Sequence, residues 1–318
     1  MARFLFLDCG ASAAAHKIAC YAPITMDKTA PKIKYAPRQN EFRPAKLVRA
    51  ATDEETMQFK HVTLDFDGSV AILKLDHQEV MNAVSVDMLG GLSEALDAIE
   101  EKKDEVRCVV LTGAGRAFCT GANLQGRNNQ AKKTKAGLTL ETGFHPFLRR
   151  IRNLHCPIVT AVNGPAAGAG MSFALLGDMI LCARSSYFLQ AFRRIGLVPD
   201  CGSTWLLPRL VGRARSIELS LMGERLPAEK ALEWGLVNRV YDDGDLMEEA
   251  MKLARDLASG PTVALSLIRK LYWDSPENSF EDQLNLEFQC QLRAGDTEDF
   301  REGVGAFLEK RPAQFKGK

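Results

Sequence analysis

Apolar and polar residues alternate over HVTLDF (61–66) and again over SVAILKL (69–75), the period of half-buried strands, with Asp67-Gly68 between them as a hairpin turn. The period then changes from two to about 3.6. Met88, Leu89, Leu92, Ala95, Leu96 and Ile99 recur at helical spacing behind Ser85, a residue type that caps helix starts. The apolar run RCVVLTG (107–113) reads as a buried strand, followed by a Gly-rich loop and a polar stretch to about Leu138. A helix around Phe147–Leu154 leads into a second buried strand, PIVTAVNG (157–164), then a small-residue turn and a helix opening near Ala169. Strand–turn–helix units continue to about Leu189, and past Gly212 the pattern is nearly all helical. There Leu246, Met247, Ala250, Leu253, Ala254 and Leu257 form one amphipathic stripe, read as core packing. The order predicts an α/β fold with its helices last, divided into 1–56, a core over 57–255 and a helical region over 256–318.

Residues 1–56 break this pattern. Lys17, Lys28, Lys32, Lys34, Arg38, Arg43, Lys46 and Arg49 face few acids, and Pro23, Pro31, Pro37 and Pro44 are spread between them. Neither strand nor helix periodicity is present, so the segment reads as a flexible basic leader, or as a start called too early with Met57 the true one. Asp8 interrupts the short apolar opening that would otherwise suggest a signal peptide. A cytoplasmic protein is expected, with a mitochondrial presequence left open by the basic leader.

Composition narrows the chemistry. A formal charge of +1 over 318 residues gives no general grip on nucleic acid or anionic membrane. No apolar run approaches the roughly 20 residues that span a bilayer. The 8 cysteines stand singly, as reduced core thiols do, and none of the 5 histidines falls in a zinc motif, so no metal is expected.

Two segments share a design that chemistry can use: LTGAGRAFCTGANL (111–124) and AVNGPAAGAGMSFALLGD (161–178). Each runs from a buried strand into a Gly/Ala turn, where small side chains let a ligand reach backbone N–H groups. The second turn opens a helix whose first N–H groups lack intrahelical partners. Two such donors aimed at one point make an oxyanion hole; either turn alone is equally well an ordinary βα connection. Other motifs fail. Gly168-Ala169-Gly170 lacks the third glycine of a dinucleotide fingerprint, with Phe173 in its place, and no P-loop occurs. CGSTW (201–205) is similar to the surroundings of papain-type cysteines, but the required downstream histidine is missing, the last being His155.

MNAV (81–84), GRAFCTGANL (115–124), AVNGPAAGAG (161–170), IGLVPDCGSTWLLPRLVGRARSIEL (195–219), PAEKALEWGLVNRV (227–240) and FLEKRPAQF (307–315) together resemble the crotonase (enoyl-CoA hydratase/isomerase) superfamily, from about Met57 to Lys318. The later blocks are most similar to bacterial isomerases of phenylacetate breakdown, including those acting on a ring epoxide. The resemblance implies a spiral of ββα units, with the C-terminal helices forming a homotrimer or a dimer of trimers. It implies an acyl-CoA substrate, coenzyme A being part of that substrate with no separate cofactor. The backbone N–H groups of Ala122 and Ala169 become the oxyanion donors. Asn82, Ala83, Thr120, Gly121, Asn123, Gly168 and Phe192 become the CoA and acyl contacts, joined by Phe307 and Lys310 of a neighbouring subunit.

Departures from the family choose the reaction. Its hydratases carry two glutamates, where this chain has Ser172 and Phe192. Hydration needs a base for water and an acid for the α-carbon, a pair these residues do not supply. Asp200 remains, at the position of the catalytic acid in the isomerase branch. One carboxylate suffices to move a double bond, taking a proton from C2 and returning it to C4. Phe192, Ile195, Leu197 and Val198 are expected to desolvate it. The structural alternative is Asp200 as cap or turn residue before a helix near Ser203. His145 lies where the family has a pocket-lining helix, and Asn123 stands where many relatives carry Asp. The expected activity is thus a 3-enoyl-CoA to 2-enoyl-CoA isomerase, with a ring-derived acyl group left open; the other readings are a hydratase with a non-standard site and a non-catalytic acyl-CoA-binding oligomer.

Overall fold

The hairpin expected around Asp67-Gly68 forms in the computed structural model, which describes residues 47–49, 55–124 and 136–318. The leader before Leu47, residues 50–54 and the polar stretch 125–135 lie outside the described residues, and the expectation of a flexible leader lies there with them. Strand β1 (Leu47–Arg49) pairs antiparallel with β2 (Glu55–Phe59), so the sheet starts ahead of the expected boundary at residue 57. Three residues are too few to show a period of two. Strand β3 (Val62–Asp67) pairs with β2 and with β4 (Val70–Leu75), and Gly68 takes φ +55° in the turn between them.

Helix α1 (Val86–Glu101) follows, with the Ser85 hydroxyl accepting from the Met88 N–H at 3.1 Å as its cap. Next come β5 (Cys108–Gly113), a short α2 (Ala136–Thr139), a π-turn over Leu140–Phe144 and α3 (His145–Arg152). Strands β6 (Ile158–Val162) and β7 (Ala166–Ala167) precede α4 (Ala169–Ala174), then β8 (Met179–Ala183) and β9 (Tyr187–Leu189). Helices α5 (Ser203–Val211) and α6 (Arg213–Met222) lead to β10 (Arg225–Pro227), α7 (Ala228–Glu233) and β11 (Arg239–Tyr241). Helices α8 (Leu246–Ser259), α9 (Thr262–Asp274), α10 (Phe280–Gly295) and α11 (Glu298–Glu309) complete the chain. The segment past Gly212 is thus not purely helical: β10 and β11, three residues each, interrupt it.

Eight strands make one sheet in the order β1-β2-β3-β4-β5-β6-β8-β11, antiparallel up to β4 and parallel from β4 onward. A small second sheet, β10-β9-β7, lies beside it. Strands β5 and β6 are buried at every position because both faces of the parallel section are covered. Val109 and Leu111 face a core that includes Met88, Leu92 and Leu96 of α1, while Cys108 and Val110 face Leu246, Ala250 and Ala254 of α8. The Leu246 stripe is core, as its spacing predicts. Cys108, Cys119, Cys156, Cys182, Cys201 and Cys290 are free and buried. Residues Pro44–Lys318 form one compact unit, and the expected division at 255/256 falls inside α8.

One buried ion pair ties the C-terminal helices to this core. Arg269 of α9, its side chain 5% exposed, donates through Nε to Asp178 Oδ2 and through a terminal nitrogen to the Leu154 carbonyl at 2.7 Å. The same Asp178 oxygen accepts from the Ile158 N–H at 2.7 Å, at the start of β6. Burial pushes the Asp178 carboxyl up while Arg269 holds it down, so the acid depends on its partner. Arg269→Met should cost about 3–5 kcal/mol, because it leaves a buried charge unpaired. Urea unfolding checks this, and adding Asp178→Asn to the same chain should recover most of the loss.

Candidate active site

The first small-residue turn is held open from below by Asn82. This residue is fully buried at φ +56°, in the left-handed region that Asn tolerates better than most side chains. Its Nδ2 donates to the carbonyls of Ala114 and Ala117 at 2.9 and 2.8 Å, and its Oδ1 accepts from the His77 N–H at 2.8 Å. The Thr120 hydroxyl is committed too, donating to the Met81 carbonyl at 3.1 Å. The side chains of Asn82 and Thr120 therefore shape the loop, and the buried Ala83 offers a ligand only small surface. Val84 donates to the Gly121 carbonyl at 2.7 Å and accepts from the Asn123 N–H at 2.8 Å. These bonds grip Ala122 from both sides and leave its own N–H without an acceptor among the described residues.

The second turn is zipped onto the first. Cys119 donates to the Pro165 carbonyl at 3.0 Å and accepts from the Ala167 N–H at 2.9 Å; Gly168 donates to Leu189 at 2.8 Å. The turns touch at Gly121, whose φ is +99°. A methyl group there would lie 2.9 Å from the Ala167 carbonyl oxygen and 3.6 Å from the Ala169 nitrogen. Gly168, at φ +52°, packs against the same Gly121 backbone and the Phe192 ring. As first residue of α4, Ala169 has an N–H with no intrahelical acceptor, and none elsewhere among the described residues. Two open N–H donors, at Ala122 and Ala169, thus flank one glycine contact.

Asp200 joins this cluster from the loop before α5. The Ser172 hydroxyl, on α4, donates to the Asp200 carbonyl at 3.2 Å. The Asp200 carboxyl is not the cap of α5: Gly202 holds the cap position with no side-chain bond. Asp200 Oδ1 is buried with no hydrogen-bond partner among the described residues. Burial pushes its pKa up, opposed by the neighbouring Cys201 thiol and by His145 of α3. Sequence analysis met Cys201 only as the first residue of the rejected CGSTW match, not as a neighbour of the acid.

The expected desolvating wall is only partly there. Phe192 is 6% exposed, but Ile195, Leu197 and Val198 are 51%, 43% and 78% exposed. The 3₁₀ segment Ala191–Ile195 ends at Gly196 in the left-handed region, and Leu197 and Val198 follow it in an exposed stretch. Beside Cys201 lies a recess of about 230 Å³ lined by Leu148, Leu176, Trp205, Leu206 and Trp273 together with the charged Arg149, Arg152 and Glu277. Phe307 and Lys310 sit apart, on α11 and its C-cap; Phe307 is 82% exposed beside Phe300, Val304 and Phe315. Among the described residues no group of three or more His, Cys, Asp or Glu side chains is placed to hold a metal, and no helix is long and apolar enough to cross a membrane.

The enoyl-CoA hydratase/isomerase family profile matches residues 65–318. The 1,2-epoxyphenylacetyl-CoA isomerase of Escherichia coli (strain K12) is 45% identical over 251 residues, covering 78% of this chain and 95% of that protein. A probable enoyl-CoA hydratase of Rhodobacter capsulatus is 40% identical over 266 residues, covering 82% and 100%. Among solved structures, an enoyl-CoA hydratase from Polaromonas sp. JS666 superposes with a TM-score of 0.74 at 35% identity, covering 80% of this chain and 99% of that one.

The contact between the turns yields a prediction. Gly121→Ala puts a methyl group against the Ala167 carbonyl at a φ that alanine resists. It should cost about 2 kcal/mol of stability and, by displacing the Ala122 donor, about 100-fold in turnover of a CoA ester. Thermal unfolding and steady-state kinetics of the variant measure the two effects.

Proposed function

The chain belongs to the enoyl-CoA hydratase/isomerase family, and from that premise we propose that it is an acyl-CoA isomerase with Asp200 as its acid/base. The observation that carries this reading is Asp200: its half-buried carboxyl is raised in pKa, with Oδ1 buried and unpartnered, and its backbone carbonyl is tied to the same short helix as the Ala169 N–H. A thioester carbonyl placed between the N–H groups of Ala122 and Ala169 would bear the charge of a dienolate, each donor contributing about 3 kcal/mol at the transition state. Ionised Asp200 takes the C2 proton of a 3-enoyl-CoA as the electrons move into the thioester. The protonated acid then returns that proton at C4, leaving the conjugated 2-enoyl-CoA and the original carboxylate.

A hydratase would need a second acid/base beside the first. Ser172 is fully buried and spends its hydroxyl on the Asp200 carbonyl, and Phe192 is apolar, so the two positions offer none. The name of the Escherichia coli relative supports a ring-bearing acyl group, and the stacked Trp205 and Trp273 give the recess beside Cys201 an aromatic wall. The exposed Tyr272, Phe280, Phe288 and Phe307 support assembly of the C-terminal helices into a homotrimer or a dimer of trimers, in which Phe307 and Lys310 would serve a neighbour's site.

Asp200→Asn should lower kcat for 3-enoyl-CoA isomerisation by about 1,000-fold or more, followed by ultraviolet absorbance of the conjugated product. Formation of hydroxyacyl-CoA that survives the substitution would establish the hydratase reading instead, and CoA-ester binding without turnover in the wild type would leave a binding protein. Because the carboxylate is the working form and its pKa is raised, activity should fall as pH drops through a value above the ordinary aspartate range. The stability sign follows from the same shift. A carboxyl with a raised folded pKa contributes stability only while protonated, and that contribution is lost as pH rises through the folded pKa. At neutral pH the charged Asp200 is a burden on the fold, so Asp200→Asn should match or exceed the wild-type Tm while losing its turnover.

A further inference from the structure

The Asp200 carbonyl accepts from three donors on two elements: the Ser172 hydroxyl of α4 at 3.2 Å, and the Ser203 N–H and hydroxyl of α5 at 3.1 and 3.0 Å. Ser203 alone would close the turn into α5. The Ser172 bond is the one that crosses to α4, three residues past Ala169 and its open N–H. Within its own helix the same hydroxyl reaches only the Gly168 carbonyl at 3.5 Å, the outer limit of a hydrogen bond. Cys201, next in the chain, is 2% exposed and holds φ +53°, a region where a side chain costs on the order of 1 kcal/mol. Asp200 Oδ1 beside it is buried with no hydrogen-bond partner among the described residues.

Building on the reading of Asp200 as acid/base, we propose that Ser172 is its positioning residue. Ser172 fixes the Asp200 backbone to the helix that carries the Ala169 donor, so that proton carrier and enolate site keep one separation. The serine hydrogen is not transferred, and the balance of the reaction is unchanged.

The full-length protein tests this, with melting curves as the folding control. Ser172→Ala should lower kcat about tenfold or more while KM stays within about twofold, because misplacing a catalytic group by a fraction of an ångström costs rate rather than affinity. A wild-type kcat in Ser172→Ala would overturn the proposal. Wild-type turnover in Asp200→Asn would be a different failure, that of the acid/base reading itself.

Discussion

Everything at the site depends on two backbone turns meeting with no side chain between them. Gly121 presses on the Ala167 carbonyl and the Ala169 nitrogen at a separation that a single methyl group would spoil. Gly168 returns the contact from the other side. Each turn is the end of a parallel strand, β5 or β6, and neighbouring parallel strands bring their ends to the same edge of the sheet. The sheet supplies the coarse placement, and the hydrogen bonds through Cys119 and Val84 supply the fine one. A site made of backbone N–H groups has no other means of precision, because a peptide cannot swing to compensate as a side chain can.

The same logic sorts what was legible in the sequence from what was not. Periodicities of two and 3.6 located β3, β4, α1 and α8, since each has one face in the core and one toward a different neighbour. The turns were legible because Gly and Ala clusters after apolar strands have few explanations. Strands β1, β10 and β11 were not, since three residues carry no period. Ile195, Leu197 and Val198 were misplaced for a related reason. Apolar character says that a residue gains from burial, but not which way the chain points it, and here the described surface leaves the three exposed. Asn82 and Thr120 show a different limit. A resemblance can mark a position as part of a site without saying whether its side chain faces ligand or holds the loop, and the hydrogen bonds of these two hold the loop.

Asp200 stands in tension with the stability of its surroundings. A carboxyl with one oxygen buried and unpartnered is costly, and Cys201 beside it adds a left-handed backbone. The fold carries these costs on a framework of fully buried strands and the Arg269–Asp178 pair. Such a carboxyl has one chemical advantage: its proton affinity is raised towards neutrality, where taking and returning a proton both become feasible.

On the proposed reading, two substitutions separate this chain's reaction from hydration. Serine at 172 and phenylalanine at 192 remove the carboxylates that would activate water, and the replacements are not idle. Phe192 packs on Gly168, beside the place where the thioester would sit, and so helps keep water from a dienolate that protonation by solvent would divert. Ser172 turns a position of acid/base chemistry into one of geometry, tying Asp200 to the oxyanion helix. A single proton carrier must serve both carbons of the shift, so its placement matters more than in a two-acid site, where each group serves one atom. The loss of the second carboxylate and the added tether on the first are therefore two halves of one change.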